Sequence, residues 1–217
     1  MPSLKITLEG IRKELKEKEK VRENLQKTMR KTTSLSKQAI LLAHQEKLKE
    51  AKKLIETVRE IISKLNEAAA TYPDIIYSGL YNAARQEFSE ASIFLHLIEE
   101  GNFITPEEIM VPSVDYVLGL ADVIGEYRRL TLDALRKGSV KEAERCLQTM
   151  DEIYIELMAM DEAYMLVPGL RRKCDIARRI IETTRGDVTQ EVRRDSLEKY
   201  LKHFENLQRR KAQARKG

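Results

Sequence analysis

The sequence predicts an all-α protein, folded over residues 1–217 as a single domain that forms a seven-helix bundle. Only 9 of the 217 residues are glycine and 5 are proline, so the residues that most often interrupt helices are scarce. Apolar residues recur at intervals of three and four, which is the periodicity of an amphipathic helix. A chain of this length can bury one substantial core, and the short intervals between helical segments are typical of a bundle.

The first three helices are predicted from apolar spacing and from the residues that interrupt it. Six apolar residues with a heptad-like spacing mark a long first helix, which ends near Ala43: Leu4, Leu8, Ile11, Leu15, Leu25 and Met29. A second amphipathic helix follows from about Lys47 to Ala70. Pro73 suits the first turn of a third helix, which runs to Glu100.

The later helices are predicted mainly from capping residues. Thr105 and Pro106, followed by two glutamates, have the form of an N-cap and first turn, which indicates a short helix. Ser139 and Asp187 suit N-caps, whereas Gly186 suits a helix end. The long helices that follow are predicted at about residues 113–136, 139–166, 170–185 and 187 onward, with a basic tail from about residue 209.

Charge is distributed unevenly along the chain. Residues 72–126 carry ten carboxylates and one basic residue, Arg85, whereas residues 1–31 carry ten lysines and arginines against five glutamates. The whole chain has a formal net charge of +4. Neither a signal-peptide pattern nor a run of about 18 apolar residues occurs, which favours a cytoplasmic protein without a membrane segment. Cys146 and Cys174 lack metal-ligand spacing and are expected to be buried, reduced thiols.

Two pairs of acids at helical spacing are the main candidates for a site. Glu87 and Glu90 lie three residues apart, and Asp122 and Glu126 lie four apart, so each pair projects from one side of its helix. Glu87 falls within about 60° of an apolar stripe around the helix axis. That stripe consists of Leu80, Ala83, Ala91, Phe94 and Ile98. Because an unpaired ionised carboxylate is disfavoured there, we expect a cationic partner.

The helix predicted at residues 113–136 is apolar on most sides and carries one acidic stripe. Four acids lie within about 40° of one direction: Asp115, Asp122, Glu126 and Asp133. Such a helix is expected to be buried with its stripe facing a cavity or channel. Arg129 lies on the same stripe, and a structural salt bridge from Arg129 to Glu126 or Asp133 is an alternative role for one of these acids.

The acids favour a hard divalent cation. Carboxylate oxygens are the ligands that Mg²⁺ and Mn²⁺ prefer, and Mg²⁺ leaves coordination positions for phosphate oxygens. A di-iron bundle needs Glu-x-x-His pairs, but none of the three histidines, His44, His96 and His203, follows a glutamate by three residues. The histidine-free set therefore indicates Mg²⁺ or Mn²⁺ and phosphoryl chemistry.

A basic stripe follows the first helix. Five lysines lie within about 60° of one direction, opposite the apolar residues: Lys13, Lys16, Lys20, Lys27 and Lys31. One interpretation is a solvated face with ion pairs to Glu17 and Glu23; the other is nonspecific binding of nucleic-acid phosphates. Aromatic residues are few, so contact with the nucleic-acid backbone is expected rather than base stacking. Arg129 is a further candidate for contact with nucleic acid.

Three segments resemble the translin family, and within it the Trax branch. They are PSVDYVLGLADVIGE at 112–126, QEFSEA at 86–91 and LRRKCD at 170–175. The resemblance implies a seven-helix bundle that assembles into a hollow octamer with nucleic acid inside. It also implies that Trax-type chains cleave RNA with acids that correspond to Glu87, Glu90, Asp122 and Glu126. The long insertion that eukaryotic Trax chains carry before the first of these segments is absent here.

Three functions are compatible with these patterns. The leading hypothesis is a Mg²⁺-dependent endoribonuclease for single-stranded or unpaired RNA, assembled as a homo-oligomer, with the four acids as metal ligands and catalytic groups. The alternatives are a non-catalytic assembly that binds single-stranded RNA or DNA, and a helical scaffold whose acids pair with arginines. Self-assembly is expected because five apolar residues cluster around the predicted short helix, where a monomer has little need of them: Phe103, Ile104, Ile109, Met110 and Val111.

Overall fold

The computed structural model describes residues 3–73, 79–160 and 164–214, with side chains described to residue 208. Within these ranges the protein is helical, which confirms the all-α prediction. The six helices of the described ranges are α1 (Leu4–His44), α2 (Leu48–Thr71), α3 (Gly79–Glu100), α4 (Ser113–Arg136), α5 (Val140–Ala159) and α6 (Leu170–Ala214). The predicted junction at 74–78 and the side chains of the predicted basic tail lie outside the described residues.

The sixth and seventh predicted helices are one continuous helix, α6. Gly186, predicted as a helix end, lies inside α6. Thr184 and Val188 on either side of it are buried, so packing outweighs the cost of an internal glycine, which is about 1 kcal/mol. Asp187, predicted as an N-cap, instead lies 3.9 Å from the guanidinium of Arg128.

Residues 106–110 form turns rather than the predicted short helix. The predicted capping interactions do form: the Thr105 hydroxyl donates to Glu108 Oε2 at 2.9 Å, and the Glu108 N–H donates back to the Thr105 hydroxyl at 3.3 Å. Met110 then adopts a left-handed conformation with φ 55°, which prevents a further helical turn.

The apolar residues of this turn segment belong mostly to the core. Ile104, Ile109 and Val111 are buried within the chain, and Phe103 and Met110 are the two that keep substantial exposure. The Asn66 side chain donates to the Met110 carbonyl at 3.1 Å, which ties the segment to α2. The expectation that this cluster needs a partner molecule is therefore wrong for three of its five residues.

The chain forms two compact units. The first comprises Met1–Val123 and Met165–Leu170. In this unit α1 packs on α2 and α3, and α2 packs on α3. The largest fully buried side chains of this unit are Tyr81, Phe88, Phe94, Met29, Ile62, Leu65, Ile93 and Ile109. Thr32 and Ser36 are also buried. Burial of these hydroxyls is tolerated because each donates a hydrogen bond to a carbonyl one turn earlier on α1, at 3.0 Å.

The second unit comprises Ile124–Tyr164 and Arg171–Gly217. Its buried residues include Tyr127, Leu147, Met150, Ile153, Leu157, Ala177 and Ile181. Arg128 donates to the Thr184 hydroxyl at 2.7 Å, which links α4 to α6. Both cysteines are reduced, Cys174 buried and Cys146 half-buried, and burial raises the pKa of Cys146 to about 11. Among the described residues, no helix is both long and apolar enough to cross a membrane.

Candidate carboxylate site and nucleic-acid interface

Gly119 lets α4 approach α3 very closely. A Cβ atom at this position would lie 2.6 Å from Ser89 Cβ and 2.8 Å from both the Gln86 carbonyl oxygen and the Glu90 nitrogen. Two of these neighbours are backbone atoms that cannot move aside, so glycine alone fits here. The contact sets Asp122, one turn later on α4, at the level of residues 86–90 on α3.

Asp122 is fixed by this approach. Its Oδ2 atom accepts a hydrogen bond from the side-chain amide of Gln86 at 2.6 Å. Asp122 is half-buried, and the residue makes at least one further interaction. One acid of the predicted second pair, Asp122, therefore contacts the residue that precedes Glu87, which spacing alone does not reveal.

Glu87 meets the cation that its apolar surroundings require. Lys37 Nζ on α1 lies 3.1 Å from Glu87 Oε1, and the side chains are 63% and 23% exposed, respectively. The expectation of a cationic partner is confirmed, and that partner is a lysine of the same unit. Because the lysine is largely in water, it can leave the carboxylate at little cost.

Glu90 and Glu126 are half-buried, and neither residue is without an interaction partner. Glu126 follows Asp122 by one turn of α4 but belongs to the second compact unit. Across the described ranges, no three or more histidine, cysteine, aspartate or glutamate side chains are grouped so that they could hold a metal ion. The four-acid metal site thus stays a prediction.

Two acids of the predicted stripe on α4 have arginine partners. Asp115 is buried, and its Oδ2 atom lies 2.6 Å from Arg85 Nε on α3. These atoms meet off the hydrogen-bond direction, so the contact is an ion pair rather than an aligned hydrogen bond. Burial raises the pKa of Asp115, and the charge of Arg85 opposes that rise. Asp133 pairs with Arg136 at 3.1 Å, so the partner of Asp133 is not the Arg129 considered from sequence.

Three residues of this site were not identified as important from the sequence: Lys37, Gln86 and Gly119. Gly119 carries a sequence signal, because a glycine within an otherwise apolar helix usually marks a close approach of another backbone. Gln86 and Lys37 carry none, since their roles depend on which helices pack together.

The family of the chain follows from comparison with known proteins. The Translin family model matches residues 20–184, which is most of the chain. The chain belongs to the Translin family. It is 37% identical over 194 residues to a protein of Methanocaldococcus jannaschii named "Uncharacterized protein MJ0175", a match that covers 88% of this chain and 85% of that protein. The predicted family is therefore confirmed.

Solved structures agree with this Translin-family assignment. The crystal structure of AfC3PO has a TM-score of 0.76 and 38% identity, covering 85% of this chain and 96% of that one. A structure of AfC3PO in complex with duplex RNA has a TM-score of 0.75 and 37% identity over the same shares, 85% and 96%. Apo-NeC3PO, at 24% identity and a TM-score of 0.79, covers 88% of this chain and 100% of that one and shows the fold alone.

The basic stripe of this Translin-family chain lies in water. All five lysines are exposed on α1: Lys13, Lys16, Lys20, Lys27 and Lys31. The ion pairs on this part of the helix join Lys18 to Glu14 at 2.8 Å and Arg22 to Glu19 at 2.6 Å, so these two acids engage cations outside the stripe. Arg129 is exposed on α4. The stripe therefore presents accessible positive charge along one helix face.

Proposed function

We propose that this protein binds RNA in a homo-oligomeric translin-like assembly, expected to be an octamer. We further propose that it is a cytoplasmic endoribonuclease that cleaves single-stranded or unpaired RNA with Mg²⁺ or Mn²⁺. The acids that would serve as metal ligands and catalytic groups are Glu87, Glu90, Asp122 and Glu126. The proposed phosphate contacts are Lys13, Lys16, Lys20, Lys27, Lys31 and Arg129.

The observation that carries this proposal is the approach of α4 to α3 at Gly119. It places an aspartate of one helix beside a segment of the other that bears two half-buried glutamates. If these carboxylates face bound RNA, they would repel its phosphates unless a cation neutralised them. The AfC3PO complex contains duplex RNA, which supports RNA as the class of ligand.

The donor chemistry of the four acids fits a hard divalent cation, since every donor is oxygen. Such an ion, when bound, would stabilise charge on a scissile phosphate and lower the pKa of a bound water. In this structure Lys37 and Gln86 engage Glu87 and Asp122. We therefore propose that Gln86 keeps Asp122 oriented and Lys37 keeps Glu87 neutralised in the metal-free protein, and that both carboxylates would be available to an ion once these donors move away.

A second function is favoured by one specific observation. The described residues contain no group of three or more histidine, cysteine, aspartate or glutamate side chains that could hold a metal ion. A non-catalytic RNA-binding assembly needs no such group. In that case the acids stabilise the contacts between helices, and Mg²⁺ has no effect on RNA integrity.

One experiment separates the two functions. Full-length protein is incubated with end-labelled single-stranded RNA, a matched duplex and matched single-stranded DNA, each with Mg²⁺, Mn²⁺ or EDTA. Native gels then report binding, and denaturing gels report cleavage. We expect cleavage of the single strand with either metal and none with EDTA. A gel shift without cleavage would replace the nuclease by the binding assembly, and the absence of both would contradict both functions.

A further inference from the structure

The apolar seam of α1 continues beyond the residues that bury it. From Met29 onward, five of the six buried positions of this helix alternate at intervals of three and four: Met29, Thr32, Ser36, Ala39 and Ala43, with Ile40 as the sixth. The same spacing, interrupted by Arg22 and Lys18, leads backward to Leu15, Ile11, Leu8 and Leu4, which are 46% to 74% exposed. The Translin family match starts at residue 20, after these four residues. One helix face is thus core at one end and uncovered at the other.

The C-terminal part of α6 carries a second uncovered seam. Leu197, Leu201 and Phe204 are 55% to 60% exposed and keep the same spacing, which Gln208 extends by one position. This segment follows the end of the family match at residue 184. Each seam is about two heptads long, and a/d seams of this kind are buried by pairing with another helix.

We propose that the N-terminal segment of α1 pairs antiparallel with the C-terminal segment of α6 of a second copy of this chain. Antiparallel helices place an a position opposite a d position. The proposed layers are Leu15 with Leu197, Ile11 with Leu201, Leu8 with Phe204 and Leu4 with Gln208. This inference extends the proposed self-assembly and is independent of RNA cleavage.

Charge complementarity selects this pairing. The residues flanking the seam on one side are Lys5 and Arg12 on α1, and Glu198 and Glu205 on α6. In the proposed register Lys5 lies beside Glu205 and Arg12 lies beside Glu198. The other flank pairs Thr7 with Leu207 and Glu14 with Tyr200, so it contains no like charges.

The competing pairings place like charges together. Two α1 segments in antiparallel register would bring Lys5 beside Arg12, and two α6 segments would bring Glu198 beside Glu205. A parallel pairing of α1 with α6 would bring Lys5 beside Arg193. The sequence therefore disfavours both self-pairings and the parallel arrangement, and specificity of this kind is typical of coiled-coil flanks.

The proposed seam also has a defined end. The next layer would place Lys18 opposite Arg194, and each of these cations already has an acid on its own helix. Lys18 lies 2.8 Å from Glu14, and Arg194 lies 3.4 Å from Glu198. Both segments are extensions of long helices, so a short seam needs no new helix nucleation.

The test is a charge swap in trans, followed by sedimentation without RNA. We expect K5E/R12E and E198K/E205K each to weaken self-association on the order of tenfold, because opposite charges become like charges. An equimolar mixture should restore it, since the acidic α1 of one variant fits the basic α6 of the other. K49E/K53E, with the same charge change on two exposed lysines of α2, is the control and should associate as the wild type does.

The outcomes separate this interface from self-assembly in general. If wild type and both reversed variants associate equally, the assembly uses other faces and this interface is wrong. Recovery in the combined K5E/R12E/E198K/E205K variant but not in the mixture would place the pairing within one chain, which also overturns the proposal. As a second measurement, differently tagged L8C and F204C chains should form a disulfide-linked heterodimer that wild-type chains do not form.

Discussion

Gln86 on α3 donates a hydrogen bond to Asp122 on α4 at 2.6 Å, across the helix contact that Gly119 makes possible. The residue after Gln86 is Glu87, whose carboxylate is held by Lys37 of α1. Two neighbouring contacts in the first unit thus connect α3 to α1 and to the part of α4 that precedes Ile124, each through one carboxylate. The helix approach at Gly119, the two carboxylates and the lysine partner of Glu87 can each be tested by a separate substitution.

The close helix approach predicts that Gly119→Ala is strongly disruptive. The added methyl group would overlap Ser89 Cβ and two backbone atoms of α3, and overpacking of this kind costs about 1–3 kcal/mol. We expect the melting temperature to fall by several degrees, measured by circular dichroism, and cleavage to be abolished. Gly125→Ala on the same helix is the control, because nothing lies within 4 Å of its added Cβ. Equal stability of the two variants would contradict the close packing of α4 on α3.

The site assignment predicts that Glu87→Gln with Asp122→Asn removes cleavage. Loss of two proposed metal ligands should lower the rate by about a hundredfold or more, while the helical signal and RNA binding persist. The matched control is E99Q/E100Q, which removes two charges at the end of the same helix. Glu99, like Glu87, pairs with an exposed lysine, at 3.4 Å from Lys52, and the two glutamates have similar side-chain exposure, 22% and 23%. A double variant with wild-type cleavage would refute the assignment.

The parts of this structure that the sequence predicts are those that depend on local periodicity. The spacing of Glu87 and Glu90 and that of Asp122 and Glu126 locate the acids on their helices, and α4 matches its predicted bounds. Which helices meet is not local. Lys37 could be assigned to Glu87 only once α1 was known to pack on α3.

Local signals also fail where packing outweighs them. Gly186 and Asp187 have the form of a helix end and an N-cap, yet α6 continues through both. The helix continues because Thr184 and Val188, on either side of these two residues, are buried. Thr105 and Glu108 make their predicted capping contacts, but Met110 turns left-handed and ends the segment. Capping residues thus indicate where a helix can begin, whereas the length of the helix depends on tertiary contacts.

The Lys37–Glu87 pair predicts competition between the lysine and a metal ion. An exposed pair of this kind contributes about 0.2–1 kcal/mol, so its removal should make Glu87 easier for an ion to reach. In Lys37→Gln we expect the Mg²⁺ concentration for half-maximal cleavage to fall by up to about fivefold. Lys52→Gln, which breaks the matched pair with Glu99, should leave that concentration unchanged. A higher Mg²⁺ requirement in Lys37→Gln would contradict the competition and indicate an RNA contact instead.

The lysine stripe predicts a specific salt dependence of RNA binding. If the stripe contacts phosphates, changing Lys16, Lys20 and Lys27 to Gln should weaken binding equally for unrelated sequences. The slope of log affinity against log salt should fall by about 0.7 for each single-strand phosphate that the variant no longer neutralises. The control changes Lys49, Lys53 and Lys64, which lie on α2 rather than on the stripe. An unchanged slope would mean that the stripe is an ordinary solvated face.

The buried pair of Arg85 and Asp115 predicts a pH-dependent loss of stability in Arg85→Met. Arg85 lies 2.6 Å from Asp115 and packs 4.0 Å from the centre of the Tyr81 ring. Breaking a buried pair from one side costs about 3–5 kcal/mol, because the remaining charge has no partner. Burial already raises the pKa of Asp115, and Arg85 is what opposes it, so the variant should raise that pKa further.

The sign of the effect follows from proton linkage. A carboxyl whose pKa is higher in the folded state binds more protons there than in the unfolded chain, so its contribution to stability falls as pH rises. We expect Arg85→Met to lose progressively more stability than wild type from about pH 4 upward, where an unfolded aspartate is already about half ionised. Urea unfolding at a series of pH values measures this. In Arg85→Met with Asp115→Asn the group cannot ionise, so the additional pH dependence should disappear. If it persists in the double variant, another group is responsible.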